Sequence, residues 1–98
     1  MTDENGYPED HELEKIKTWK YEDSWHNLLD YVRDLWYYPD RFHEYPPKNG
    51  EVEYYLSTGG WSGNESIINA LRKNYLFWGV CWYTSHRGGY YTFKVRIG

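Results

Sequence analysis

Apolar side chains between residues 25 and 36 recur at helical spacing. They repeat every three or four positions, while polar side chains fill the opposite face. Asp23 or Ser24 can cap the start of this predicted helix, and Pro39 ends it. The stripe consists of Trp25, Leu28, Leu29, Val32, Leu35 and Trp36. Such a stripe is typical of core packing and not of a cofactor site.

Two weaker segments flank this helix. Leu13 and Ile16 give a thin apolar stripe, which predicts an earlier helix with acidic side chains near its positive end. Residues 39–50 contain two consecutive prolines and an Asn-Gly pair, which predict a linker. Phe42 and Tyr45 are expected to pin this linker to the body of the protein.

Three segments of the second half alternate with period two, which predicts strands. They are residues 51–57, 76–83 and 90–97. The middle segment is apolar on both faces, and it is therefore predicted to be the central strand. Residues 84–89, with the sequence TSHRGG, form the predicted hairpin loop, because glycine can take a positive φ. The side chains of the last strand that are expected to face outward are Tyr90, Thr92, Lys94 and Arg96.

Between the first two strands, Ile67, Ile68 and Leu71 mark a third helix. The predicted order is α-α-β-α-β-β, an α+β fold in which a small three-stranded sheet with a C-terminal β-hairpin packs against the helices. Residues 1–98 are predicted to form a single domain, and residues 1–7 are predicted to be disordered. The third helix would connect the first two strands in parallel by a right-handed crossover. The predicted core comprises Trp25, Leu28, Val32, Leu35, Ile68, Leu71, Trp78, Val80 and Phe93.

Aromatic residues make up 21% of the 98 positions, with twelve Tyr and six Trp. A domain of this size buries only about 60–65% of its unfolded surface, so some rings are expected to stay exposed. Exposed rings in number favour a binding protein. The net charge of −4 is not typical of a nucleic-acid-binding protein. Residues 1–50 hold twelve Asp/Glu against six Lys/Arg, whereas residues 51–98 hold three Glu against five Lys/Arg.

The sequence lacks the motifs of several kinds of functional site. Cys81 is the single cysteine, so there is no internal disulfide and no Cys-x-x-Cys zinc motif. The four histidines show no metal-ligand spacing, and no Gly-x-Ser-x-Gly elbow surrounds Ser62. We therefore predict no enzymatic activity, no cofactor and no metal. The start of the chain does not have the pattern of a signal peptide, and no apolar run approaches the roughly 18 residues of a membrane span. The sequence therefore predicts a soluble cytoplasmic protein without a membrane partner.

Residues 57–68, with the sequence STGGWSGNESII, place a tryptophan among glycines directly before a helix. Ser62 and Glu65 match the Ser-x-x-Glu capping box, and Asn64 is a rival cap. Either cap leaves free N–H groups at a positive helix end, which can hold an anion, although Glu65 itself would occupy that place. Trp61 has two interpretations, a buried plug or an exposed contact for a partner.

A parallel pairing of the first two strands would bring two loops to one edge of the sheet, where open sheets bind ligands. These loops are residues 58–65 and 85–89. Both contain glycine, which permits close approach of the backbone. The predicted binding residues there are Trp61, Ser62, Asn64, Glu65, His86 and Arg87.

The outward face of the predicted hairpin is a second candidate surface. Tyr90, Lys94 and Arg96, with Tyr83, would form an aromatic and basic platform on which single-stranded nucleic acid could stack its bases. The acidic helices could instead face a basic protein surface. A protein partner is the first expectation, and nucleic acid on the hairpin face is the second.

The stretch TGGWSGNESII (58–68), followed by LFWGVCWYTSHRGGYYTFKV (76–95), resembles small uncharacterised bacteriophage proteins. Those proteins pair a TGGWSGNE-like loop with an SxRGG-like hairpin, and the resemblance covers only the C-terminal half. It implies a small phage-associated accessory protein and transfers no catalytic residue. We expect a non-enzymatic binding protein that interferes with a host protein or nucleic-acid system in the host cytoplasm. The alternative is a small-ligand-binding protein or enzyme with its site at the 58–65/85–89 edge.

Overall fold

The computed structural model describes residues 7–96, which fold as an α+β unit of helices packed on one antiparallel sheet. Within those residues there are four α-helices and four strands. Short 3₁₀ turns lie at Tyr21–Asp23 and Pro39–Arg41. In chain order the elements are α1 (Asp10–Thr18), α2 (Trp25–Leu35), β1 (Phe42–Glu44), β2 (Glu51–Ser57), α3 (Ser62–Lys73), α4 (Tyr75–Cys81), β3 (Trp82–His86) and β4 (Tyr90–Arg96).

The strand order is β1-β2-β4-β3, and every neighbouring pair is antiparallel. The central pair, β2 and β4, is in register over seven residues, from Glu51 opposite Arg96 to Ser57 opposite Tyr90. The α+β class is confirmed, but the strand count is four and not three. The predicted parallel pairing is wrong, because the last strand inserts beside β2 and leaves β3 at the edge.

Residues 75–81 form helix α4, so the predicted central strand over 76–83 is wrong. Asn74 begins this helix, since its side-chain Oδ1 accepts the backbone N–H of Phe77 at 3.2 Å. Phe77 and Cys81 are buried one helical turn apart. Val80, predicted to lie in the core, is 64% exposed, and Trp78 is only partly buried against the core. The alternation arose from a helix whose apolar side chains cover both its buried and its exposed face.

The other predicted helices are confirmed. Ser24, at φ 70°, caps α2 by accepting the N–H of His26 at 3.2 Å. Helix α1 buries Ile16 together with Glu12, a carboxylate that the apolar pattern did not indicate. Glu12 accepts the backbone N–H of Glu9 at 2.9 Å. The main core comprises Ile16, Leu28, Leu29, Val32, Leu35, Trp36, Phe42, Val52, Tyr54, Leu56, Ile67, Ile68, Ala70, Leu71, Phe77, Cys81, Phe93 and Val95.

The predicted linker over 39–50 contains strand β1, which pairs with β2. Phe42 is buried and pins this segment, whereas Tyr45 is 46% exposed and does not. The disorder predicted for residues 1–7 and the inward position predicted for Ile97 fall outside the described residues, except at Tyr7. The ring of Tyr7 packs against Trp61 with a centroid separation of 4.8 Å.

A pair of substitutions tests which apolar residues form the core. Leu28→Ala should lower the free energy of unfolding by about 2–4 kcal/mol, because it opens a cavity at a fully buried site. Val80→Ala should change it by less than about 0.5 kcal/mol, because Val80 is exposed and alanine favours a helix. Chemical denaturation measures both. Equal losses for the two variants would show that 75–81 does not form the helix described here.

Candidate functional site

The loops over 58–65 and 85–89 meet at one end of the central strand pair. The backbone N–H of Thr58 donates to the carbonyl of Gly89 at 3.0 Å. Gly89 has φ 83°, and a Cβ there would collide with the Thr58 hydroxyl, so the contact requires glycine. The predicted proximity of these loops is therefore observed. Its cause is the antiparallel β2–β4 register and not the parallel crossover from which it was predicted.

Asn64 has a structural position at this end of the sheet. It is buried, its Oδ1 accepts the backbone N–H of Tyr37 at 3.0 Å, and its Nδ2 donates to the carbonyl of Thr58 at 3.3 Å. A buried amide whose oxygen and nitrogen both have protein partners holds two loops together. It is not presented to a ligand from solvent.

The predicted capping of α3 is wrong. The helix begins at Ser62 with Trp61 in the cap position, and no side-chain oxygen caps it. The hydroxyl of Ser62 instead donates to the hydroxyl of Tyr7 at 3.0 Å. Glu65 is exposed, and its backbone N–H bonds the carbonyl of Trp61 as the first helical turn. Residues inside the helix cannot act as its caps, which removes both Ser62 and Asn64 from that role.

Trp61 is held in a stack of rings at the edge of the protein. Its indole lies 4.6 Å from the ring of Tyr37 at 22°, and 4.8 Å from that of Tyr7 at 32°. The ring is half-buried, and its Nε1–H has no acceptor among the described residues. A Cβ on Gly63 would lie 2.7 Å from that nitrogen. Trp61 is thus closer to a plug than to a free contact, although it packs beside the main core and not within it.

The opposite loop presents free side chains. His86 and Arg87 are exposed. Within residues 7–96 no hydrogen bond or ion pair joins either of them to Trp61, Ser62, Asn64 or Glu65. The loops meet through their backbones, and the polar pocket expected from their side chains is not assembled.

The hairpin face carries both positive and negative side chains. Lys94 lies opposite Glu53 and Arg96 lies opposite Glu51 in the β2–β4 register. The half-buried ring of Tyr90 packs 5.9 Å from that of Tyr55. Because each cation of this face has a carboxylate across from it, the face lacks the continuous positive potential that a phosphate backbone favours.

A surface that sequence analysis missed lies on α4 and β3. We call it the α4–β3 surface. Its five large side chains are between 43% and 82% exposed, and they lie within the nine positions 75–83. They are Tyr75, Leu76, Val80, Trp82 and Tyr83. Leu76 and Val80 are one turn apart on α4, and this i,i+4 spacing was the available signal.

Two cations contact aromatic rings at or next to this surface. The Arg72 guanidinium lies 5.1 Å from the ring centroid of Trp78, which stacks on Trp82 at 5.9 Å and 15°. Lys94 Nζ lies 3.9 Å above the ring of Tyr83. These distances are in the range of cation–π attraction. Each cation is therefore held against a ring, and Lys94 also has Glu53 across from it in the β2–β4 register.

A group of titratable side chains lies elsewhere, between α2 and β1. Donor atoms of His26, Asp30 and Glu44 lie within 4.8 Å of one another and could hold a metal ion. Arg33 already pairs with both carboxylates, at 3.6 Å to Asp30 and more closely to Glu44. The buried hydroxyl of Tyr54 bonds His26 Nδ1, and burial raises the pKa of that phenol. The Arg33 guanidinium already supplies a positive charge beside the carboxylates, and the Tyr54 phenol stays protonated. We therefore interpret this group as an ion-pair network that ties α2 to the sheet.

Comparison with known proteins adds no relative. No protein-family model, no curated protein and no solved structure matches the chain. Within the described part of the chain, no helix is both long enough and apolar enough to cross a membrane.

The role of Asn64 can be tested against its neighbour. Asn64→Ala should lower the free energy of unfolding by about 2–3 kcal/mol, because it leaves a backbone N–H and a carbonyl without their partner. Ser62→Ala should cost less than about 0.5 kcal/mol at its exposed site. Thermal unfolding compares the two. Similar losses would mean that Asn64 does not hold the loops together.

Cys81 should be chemically inert in the folded protein. Burial raises the pKa of its thiol to about 12, so almost none is thiolate at pH 8. Reaction with a disulfide reagent at that pH should be at least about a hundredfold slower than in denaturant, where the thiol takes its ordinary pKa. Rapid labelling of the folded chain would contradict the buried position of Cys81 on α4.

Proposed function

We propose that this chain is a non-enzymatic binding protein that docks a partner protein through the α4–β3 surface. The observation that carries the proposal is the concentration of exposed apolar side chains at positions 75–83, above a core that is complete without them. Monomeric proteins seldom expose large contiguous apolar patches unless another molecule covers them. Tyr and Trp, which dominate interface hot spots, supply three of the five side chains.

A protein partner is favoured over nucleic acid. The hairpin face, which was the candidate for stacked bases, sets Glu51 and Glu53 opposite its two cations. Aliphatic side chains such as Leu76 and Val80 contribute little to base stacking, whereas they pack well in protein interfaces. The alternative ligand site at the loop edge has less support, because Asn64 is used internally and Trp61 is packed between tyrosines.

The resemblance to bacteriophage proteins supplies a context for this function. A small accessory protein that covers a surface of a host protein in the host cytoplasm needs no catalytic residue. Such a protein needs a stable fold that presents one binding surface, and we propose the α4–β3 surface for that role.

Photo-cross-linking tests the proposal with a matched control. A benzophenone side chain placed at Tyr75 should form one discrete adduct in the cells where the chain is naturally made, because a docked partner lies within reach. The same group placed at Tyr21, which is 64% exposed on a different turn, should not form that adduct. Excess wild-type chain should suppress the adduct, and excess Leu76→Asp/Val80→Asp chain should not. Identical adducts from both positions, or none from Tyr75, would contradict the proposal.

A further inference from the structure

Within residues 7–96 the sheet has helices on one face only, and its other face is open. The side chains of Val52, Tyr54 and Leu56 in β2 are buried in the core, so the alternating side chains point away from the helices. The registers of β1 and β4 place side chains of those strands beside them. We call this side the outer sheet face and define it by His43, Tyr45, Glu53, Tyr55, Tyr90 and Lys94.

Four rings form a continuous row across the outer sheet face. The ring of Tyr45 stacks on that of His43 with a centroid separation of 6.4 Å. The ring of Tyr55 lies 6.3 Å from His43 on one side and 5.9 Å from Tyr90 on the other. Tyr45 and His43 are exposed, whereas Tyr55 and Tyr90 are half-buried. The row is therefore a platform of rings that a ligand can reach from solvent.

A cavity of about 400 Å³ lies at the Tyr45 end of this row. A tight turn forms one of its walls, with positive φ values of 56° at Asn49 and 77° at Gly50. Lys48 and Glu51 close the turn by exchanging both backbone hydrogen bonds, at 2.8 and 3.0 Å. The volume is within the range of about 300–1,000 Å³ that is typical of small-molecule sites. The Asn-Gly pair thus builds one wall of a preformed cavity.

The polar side chains of the cavity are balanced in charge and free to bind. Glu51, Glu53, Lys48 and Lys94 line it, and none of them forms an ion pair or a side-chain hydrogen bond with another described residue. The carboxylates accept hydrogen bonds, the ammonium groups donate them, and the Asn49 amide does both. Because two charges of each sign cancel, the site favours neither a polyanion nor a polycation.

The side chains of β2 and β4 that point outward include no aliphatic residue. All large apolar area on this face comes from rings that carry a polar atom, which suits a ligand that is apolar on one face and polar at its rim. A sugar ring has that character. Its C–H groups pack on the negative face of an aromatic ring, and its hydroxyl groups both donate and accept hydrogen bonds.

We propose that the outer sheet face binds a neutral oligosaccharide. Its sugar units stack on the row of rings from Tyr45 to Tyr90, and its hydroxyl groups bond Glu53, Lys94 and Asn49 in the cavity. This site goes beyond the proposed docking of a partner protein and does not depend on it. The two surfaces meet only where Lys94 contacts the ring of Tyr83.

Titration of the full chain, with carbon-13-labelled tyrosine rings, tests the proposal by NMR without any substitution. The probes are hexasaccharides of glucose, xylose, mannose and N-acetylglucosamine. With at least one probe, the ring signals of Tyr45, Tyr55 and Tyr90 should shift and saturate, while that of Tyr75 on the α4–β3 surface should not. A tenfold rise in salt concentration should change the affinity by less than about twofold, because a neutral ligand releases no counterions.

Substitutions test the two parts of the site separately. Tyr45→Ala should weaken binding of that probe by about tenfold or more, and Tyr45→Phe by less than about threefold, because the ring supplies the stacking. Glu53→Ala should weaken it by about fivefold through the lost hydrogen bond. Tyr75→Ala is the matched control, since it removes an exposed ring from the α4–β3 surface and should leave binding unchanged. Tyr45 is 46% exposed, so its variants should unfold at the wild-type temperature.

The other outcomes would overturn the proposal. These are no saturable shift with any of the probes, a shift confined to Tyr75, or equal losses of affinity for Tyr45→Ala and Tyr75→Ala. Tighter binding of labelled oligo-dT than of any hexasaccharide, weakened by salt and by Tyr45→Ala, would assign the face to nucleic acid. None of these results bears on the docking of a partner protein, which the cross-linking at Tyr75 tests by itself.

Discussion

The antiparallel pairing of β2 with β4 is the constraint on which the rest of the structure depends. Seven residues of each strand are in register, and this ladder occupies the centre of the sheet. It brings the ends of both strands together, so that Thr58 bonds Gly89 and the two glycine-containing loops share one end. It also forces β3 to the edge of the sheet. The loop cluster and the exposed α4–β3 surface are therefore consequences of one register.

The short helix α4 shows why an apolar surface remains uncovered. Phe77 enters the core, 5.4 Å from the ring of Phe93 and 5.6 Å from that of Trp25. With Cys81 it completes the buried face of the helix. Of the residues between them, Trp78 packs on the sheet, 5.6 Å from the ring of Phe93, whereas Gly79 and Val80 are exposed. Because a small core filled mainly by aliphatic side chains has space for only a few large rings, the additional aromatic residues remain at the surface.

The sequence predicts the parts of this fold that have an unbroken helical stripe or an unbroken strand alternation. Helices α2 and α3 and the strand pattern of β2 and β4 follow from residues such as Leu28, Ile68 and Val52, each buried as expected. Strand order and register do not follow, because they depend on which edges pair in three dimensions. Helix α4 was missed because a short apolar run suits strand and helix alike. Asn74 as a cap was the signal that separates them.

The candidate site was only partly predictable for a related reason. Proximity of the loops follows from almost any pairing that aligns the ends of β2 and β4, so it was obtained from a wrong topology. The burial of Asn64 and the ring stack around Trp61 depend on Tyr37 and Tyr7, residues distant in sequence with no local signal. The α4–β3 surface was missed because apolar side chains such as Val80 were assigned to the interior.

Hydroxyl-radical footprinting of the native chain tests the central claim most directly, that the α4–β3 surface is covered by a partner. The chain recovered gently from the cells that make it would be compared with the same chain purified alone. Oxidation of Tyr75, Leu76 and Tyr83 should fall in the native sample, while that of Tyr21, an exposed ring outside this surface, should stay the same. Equal oxidation of all four side chains in the two samples would contradict the account.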